Sequence, residues 1–376
     1  EEERFGQTLK FGLERVEELF QTLQAQGAKV VPGEAIFKLY DTYGFPLDLL
    51  QELAQEQGFA LDEEGFAREM ALQRKRAKAA LLLKAGDVAA PEVYRDLSSR
   101  CSVQFTGYER LEDEALVVAL VKEGRPIEAA SPGEEVEVIL DETPFYAEAG
   151  GQVGDGGALI GEGVFCEVLD TKAPVPGLNV HRGRVRHGTL KVGSRVKARV
   201  EGERRNTTMK HHTATHLVHA ALRAVLGDHV KQAGSLVAPD RLRFDFTHFG
   251  PLRPREIERI ESLVNEKVWE NLPVFEKVMA LDEALRMGAM AMFWEKYPER
   301  VRVIDIPDFS LELCGGTHVK ATGEIGLFKI TTEGGVAAGV RRIEALSGPL
   351  AFQHLKREEE VLRESAERLK TKPLEL

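Results

Sequence analysis

The chain of 376 residues is 43% hydrophobic and carries a formal net charge of -11, so it can fill two or three cores and does not coat nucleic acid with a uniformly basic surface. Three widely spaced cysteines, Cys101, Cys166 and Cys314, make no disulfide framework and suit a reducing, cytoplasmic setting. No apolar run reaches membrane-spanning length, so no membrane is expected as a partner.

The chain starts Glu1-Glu2-Glu3 without a methionine and reads as a piece of a longer protein. Residues 2–23 place Phe5, Leu9, Leu13, Val16, Leu19, Phe20 and Leu23 at helical spacing, and further helices are expected at Glu34–Tyr40, Pro46–Glu56 and Glu63–Ala80. This predicts an all-helical module over residues 1–95. From about Asp96 short β-rich runs alternate with glycine: Leu116–Val121, Val136–Leu140, Val164–Leu169, Val180–His187 and Val196–Val200. They predict a small β-barrel or sandwich over residues 96–205.

From Asn206 to residue 348 helix and strand signals mix. A helix capped by Asn206, Thr207 or Thr208 carries the apolar stripe Leu217, Ala220, Ala221, Ala224 and Val225 and stops at Gly227. A second helix is expected at Arg255–Glu270, and strands at Arg241–Phe246, Val301–Ile306 and Ile325–Thr331. Residues 349–376 open a charged helix, Ala351–Lys370, read as an arm or linker. The fold class is therefore α+β multidomain: an N-terminal helical module, a small β-barrel, an α+β domain and a C-terminal helix.

Two half-motifs carry the chemistry, His212-Thr-Ala-Thr-His216 and Cys314-Gly-Gly-Thr-His318. Residues i and i+4 of a helix lie one above the other, so His212 and His216 can reach one ion. Gly315 and Gly316 free the backbone between Cys314 and His318 to turn both side chains toward a common point. One sulfur and three imidazoles favour a single tetrahedral zinc ion over magnesium, calcium or manganese. His211 points about 100° away from His212 around the helix, and His219 lies almost a further turn along, where hydrogen bonding or packing suits it better. A zinc protease needs His-Glu-x-x-His with the glutamate as general base, and Thr213 stands in that place.

Together with Val230-Lys-Gln-Ala-Gly-Ser235, Leu242-Arg-Phe-Asp-Phe246 and Gly339-Val-Arg-Arg-Ile-Glu344, the half-motifs resemble the editing domain of alanyl-tRNA synthetases. Leu39-Tyr-Asp-Thr-Tyr-Gly-Phe-Pro46 and Thr143-Pro-Phe-Tyr-Ala-Glu-Ala-Gly-Gly-Gln152 resemble the same family upstream, with Glu142 and Ala149 departing from its usual residues. The resemblance implies the end of a tRNA-recognition region, a whole editing region and the start of a helical stalk. It implies hydrolysis of serine or glycine esters on tRNA(Ala), contact with the tRNA acceptor end, and a dimer formed through a C-terminal region outside this chain. Class II aminoacylation motifs are not found, so charging with alanine is not expected.

For substrate recognition or water activation the residues singled out are Thr215, Gln232 (on the loop after the metal helix), Ser235 and His211, with Glu148 as a further helper. Gly150-Gly151-Gln152 reads either as a turn whose amides approach the substrate or as a plain hairpin. Arg341 and Arg342 read as RNA contacts or as surface ion pairs. Residues 182–210 hold ten cations against Glu201 and Glu203, a net charge of about +8, with Arg204, Arg205 and Lys210 among the expected RNA contacts. The competing reading for that stretch is amphipathic strands with charged outer faces. The alternative function is a zinc-stabilised tRNA-binding module without catalysis.

Overall fold

The computed structural model describes residues 2–41, 45, 47–62, 65–66, 68–70, 92–291 and 297–376. Two compact units divide the chain, Glu1–Ala89 and Ala90–Leu376. Among the described residues no helix is long and apolar enough to cross a membrane.

In the first unit, α1 (Glu2–Ala25), α2 (Gly33–Asp41) and α3 (Leu47–Glu56) converge on a core that includes Val16, Phe20, Leu23, Ile36, Leu39, Leu50 and Phe59. The module is not purely helical. Val30–Val31 and Ala60–Leu61 form a short parallel pairing between the helices. Of the expected helix Glu63–Ala80, Gly65, Phe66 and Arg68–Met70 are helical and the rest lies outside the described residues, as do Thr42, Tyr43, Gly44 and Pro46 of the Leu39–Pro46 motif.

The second unit begins with α4 (Glu92–Arg100), which overlaps the end of the stretch the sequence assigned to the helical module. Its Tyr94 phenol donates 2.6 Å to Glu137 on a barrel strand, and Tyr94 packs with Val121, Ile139 and Val180. Six antiparallel strands close the barrel: Arg195–Val200, Gly157–Gly161, Val164–Val175, Leu178–His187, Glu135–Leu140 and Glu112–Lys122, the last pairing back with the first. Strict alternation fills its interior. In Arg195–Val200, Val196, Ala198 and Val200 point in, while Arg195, Lys197 and Arg199 point out.

Downstream of the barrel, α5 (Gly202–Leu226) is the axis of the α+β domain. It starts four residues before the expected cap: Thr207 and Thr208 sit inside it, their hydroxyls donating back to Glu203 O and Arg204 O. Every residue from His211 to Leu222 is buried, whereas Ala224, expected in the apolar stripe, is exposed. The helix is enclosed by α6 (Pro254–Trp269) and a four-stranded antiparallel sheet ordered Gln232–Val237, Leu242–Thr247, Val340–Ser347, Phe328–Ala337. A second sheet of Phe275–Ala280, Arg300–Ile306 and Ser310–Leu313 is joined by a short α7 (Leu281–Arg286). Ile325, expected at a strand start, ends a 3-10 turn instead, and the strand begins at Phe328. The chain ends in α8 (Pro349–Leu369) and a 3-10 turn.

Candidate metal centre

His212 and His216 project from the middle of α5 with nearly parallel rings, 5.4 Å between centroids. The loop after strand Ser310–Leu313 brings Cys314 and His318 to the same point, so that one ligand atom from each of the four residues lies within 4.8 Å of every other. Cys314 Sγ is 3.4 Å from His212 Nε2 and 3.3 Å from His318 Nε2. Tetrahedral zinc bonds of about 2.3 Å to sulfur and about 2.0 Å to nitrogen put neighbouring donors about 3.3–3.6 Å apart, which the two distances at Cys314 Sγ match. Among the described residues His216 Nε2 is buried without a hydrogen-bond partner by distance and angle, an orphan nitrogen that an ion would satisfy.

Each histidine is oriented through its other nitrogen, leaving Nε2 for the centre. His212 Nδ1 donates to Gln152 Oε1 at 2.7 Å, His318 Nδ1 to Thr213 Oγ1 at 3.2 Å, and His216 Nδ1 to Glu312 Oε2. Burial alone would raise the Cys314 thiol, but His212 and His318 beside it hold it well below the usual cysteine range, in the thiolate form a ligand needs. Burial and His212 likewise hold His318 well below the usual imidazole range.

The Cys-Gly-Gly-Thr-His loop is clamped from two sides. From the barrel side, Gln152 accepts from Thr317 N–H and donates to Thr317 Oγ1, both at 2.9 Å, and the Tyr108 phenol donates to Gly315 O at 2.7 Å. From the neighbouring sheet, Arg302 donates to Cys314 O at 3.0 Å and Gly316 O at 2.7 Å, with its guanidinium 4.1 Å above the Tyr108 ring. Gly316 is required by space: a Cβ there would stand 2.0 Å from a His212 ring carbon.

The cluster opens into a cavity of about 310 Å³. Thr215, Gln232, Ser235 and Gly150 line one part of it, and Tyr297, Arg300 and Arg302 another. Thr215 spends its hydroxyl hydrogen on His211 O at 2.8 Å, so its oxygen offers only lone pairs to a ligand. Gln232 is the first residue of a strand rather than part of a loop, and its amide donates to Ser235 Oγ at 3.2 Å.

Other expected roles are displaced. His211 is fully buried with both nitrogens engaged, Nδ1 donating to Ala238 O and Nε2 accepting from Ser347 N–H, which leaves it no part in activating water. Glu148 lies 3.5 Å from Lys172 on the surface. Gly150 and Gly151 do form a turn with positive φ, and it couples elements: Gly151 O accepts from Val237 N–H at 2.7 Å, against the first strand of the sheet.

The expected RNA-contacting arginines are largely engaged elsewhere. Arg205 is 1% exposed, paired with Asp155 and donating to Gly107 O and Pro144 O, because its task is to lock α5 to the barrel. Arg341 closes on Glu333 and Arg342 on Asp245, each through two hydrogen bonds of 2.7–2.9 Å, which makes them ion pairs of the sheet. Arg184, Arg186 and Lys197 pair with Glu135, Glu167 and Glu112. The basic stretch is thus mostly the charged outer face of barrel strands. Arg204 and Lys210 are half-buried on α5, without an ion pair among the described residues.

The supporting roles of Thr213, Glu312, Tyr108 and Arg302 escaped the sequence reading. The one available signal was Glu312, a carboxylate two residues before a metal thiolate and between Leu311 and Leu313 in a strand.

The family described as tRNA synthetases class II (A) matches residues 1–204, and the one described as Threonyl and Alanyl tRNA synthetase second additional domain matches residues 301–344, which contain Cys314 and His318. The chain is 49% identical to an alanine–tRNA ligase of Geobacillus thermodenitrificans over its whole length, covering 43% of that protein. It is 50% identical to the alanine–tRNA ligase of Geobacillus kaustophilus and 47% identical to that of Bacillus subtilis, spanning 42% of each.

Proposed function

The chain belongs to the alanyl-tRNA synthetase family, and from that premise we propose that its barrel and metal-bearing domain clear serine, and also glycine, wrongly esterified to the 3′ end of tRNA(Ala). The observation that carries this reading is the juxtaposition of a four-donor cluster with a cavity that presents Thr215, Gln232 and Ser235. Such a cavity suits an aminoacylated ribose end.

Discrimination follows from hydrogen bonding. A seryl hydroxyl donates to Thr215 Oγ1, whose own hydrogen is already committed, and accepts from the Gln232 amide. An alanyl group offers neither, leaving a Thr215 lone pair and a Gln232 amide hydrogen unmatched, a penalty that can amount to several orders of magnitude in rate. Size alone could not spare alanine while rejecting both a larger and a smaller side chain.

In the reaction water adds to the ester carbonyl carbon, the bond from that carbon to the ribose oxygen breaks, and the ribose oxygen takes up the proton. Free serine and an uncharged tRNA result. A single zinc ion fits His212, His216, Cys314 and His318, and when bound it supplies a fixed positive charge at the inner end of the cavity. Gln152, Thr213 and Glu312 hold the imidazoles, while Tyr108 and Arg302 hold the loop, so the cavity wall is set before substrate arrives.

The first unit carries the end of a tRNA-recognition region, and the whole enzyme, a cytoplasmic ligase of protein synthesis, supplies the charging site and any dimer contact. One observation favours a second reading, a zinc-stabilised tRNA-binding module: four protein donors already fill zinc's preferred shell. Hydrolysis of seryl-tRNA(Ala) by this chain separates the two. Ester loss above a metal-stripped control supports editing, and loss equal to that control supports binding without catalysis.

A further inference from the structure

We infer that Glu312 and His219 are positioning residues of the metal centre, forming with His216 a buried chain of hydrogen bonds that fixes how His216 binds the ion; this rests on the zinc reading above. Glu312 is completely buried on strand Ser310–Leu313, and both of its oxygens are used. Oε2 accepts from His216 Nδ1, and Oε1 accepts from His219 Nδ1 at 2.8 Å. His216 and His219 are three positions apart on α5, so one face of the helix presents both rings to the same carboxylate.

A carboxylate removed from water costs several kcal/mol unless it is compensated. Among the described residues no lysine or arginine pairs with Glu312; its ion-pair partners are the two imidazoles. The compensation is completed by an ion on the far side of His216. With its proton held on Nδ1, His216 must present the Nε2 lone pair to the cluster, and the carboxylate behind it makes that nitrogen a stronger donor.

His219 serves the carboxylate rather than the ion. Among the described residues its Nε2 is buried without a hydrogen-bond partner, and its ring lies 5.3 Å from Phe244, so within that set Nδ1 makes the ring's only hydrogen bond. A second donor on Oε1 fixes the plane of the carboxylate and keeps Oε2 aimed at His216. The histidine outside the ligand set is thereby linked to the metal through one residue.

The test compares the parent chain with Glu312→Gln, His219→Leu and His219→Asn. Zinc affinity is measured by chelator competition, the cobalt-substituted absorption spectrum is recorded, and metal-free melting is the control. Glu312→Gln is expected to weaken zinc binding about 10–100-fold and to shift the cobalt ligand-field bands while the thiolate charge-transfer band remains. His219→Leu, which removes the donor, weakens binding about tenfold, and His219→Asn, which keeps a donor near Nδ1, restores most of it.

If the glutamine variant does not fold, the Leu and Asn pair decides. A purely structural role would lower metal-free melting in these variants and leave the zinc affinity of folded protein and the cobalt spectrum unchanged, and that result overturns the inference. A parent chain that binds neither zinc nor cobalt overturns the zinc reading and this inference together. A parent that binds, with variants indistinguishable from it, overturns this inference alone.

Discussion

Gln152 Oε1 accepts a hydrogen bond from His212 Nδ1 at 2.7 Å, joining a barrel loop to α5 across sixty positions of sequence. The same side chain holds Thr317 through both its oxygen and its nitrogen, so one buried amide holds His212 of the first half-motif and the loop residue beside His318 in the second. Gln152→Ala is expected to weaken zinc binding about 10–100-fold while the barrel stays folded. Chelator competition reads the first effect and circular dichroism the second. An affinity equal to the parent's would remove Gln152 from the metal centre.

Arg205 and Asp155 form a buried pair, with two further guanidinium hydrogens spent on Gly107 O and Pro144 O. Truncating one partner strands the other charge away from water. Arg205→Ala should therefore cost about 3–5 kcal/mol in urea unfolding. A loss below about 1 kcal/mol, the range of surface ion pairs, would mean that Arg205 does not lock α5 to the barrel.

Thr215 and Gln232 line the cavity from different elements and carry the proposed hydroxyl test. Thr215→Val keeps shape and metal but removes the acceptor, so the seryl-over-alanyl rate ratio should fall about tenfold or more. Gln232→Ala should lower seryl-ester hydrolysis with zinc content unchanged. Parental rates and ratios in both variants would place the recognition elsewhere.

His181 gives a pH dependence independent of the metal. It is buried in the barrel, with Nδ1 donating to Val138 O and Nε2 paired with Thr143 Oγ1, and burial depresses it from 6.5 to about 4. Below pH 6.5 the unfolded chain takes a proton that the folded chain refuses, so stability falls with acidity until about pH 4. The shift amounts to about 3 kcal/mol over that window. Urea midpoints across this range should show it, and His181→Gln should flatten it. An equal slope in that variant would assign the pH dependence to other groups.

The clustering of the four candidate ligands was legible because His212 and His216 obey helical spacing and because glycines beside Cys314 signal a bent loop. Barrel strands were legible from their period of two, as in Arg195–Val200, where cations alternate with Val196, Ala198 and Val200. The partners of the ligands were not. Gln152, Thr213 and Glu312 come from a barrel turn, the middle of α5 and a strand, and only tertiary packing shows which imidazole each one meets. Arg205 misled for a related reason: a cation inside a basic stretch looks solvent-facing until its buried Asp155, fifty positions upstream, is placed beside it. Helix α5 also starts earlier than its apparent cap, because packing on the barrel extends it past Asn206.

The central claim is that a metal ion held by Cys314 and three histidines supports clearance of mischarged tRNA. Zinc content and a seryl-tRNA(Ala) hydrolysis time course, measured on the parent and on Cys314→Ala with and without chelator, test it in one experiment. The account predicts one zinc per parent chain, ester loss that the chelator abolishes, and a variant deficient in both. Full zinc in the variant, or hydrolysis by the parent indifferent to chelation, would contradict it.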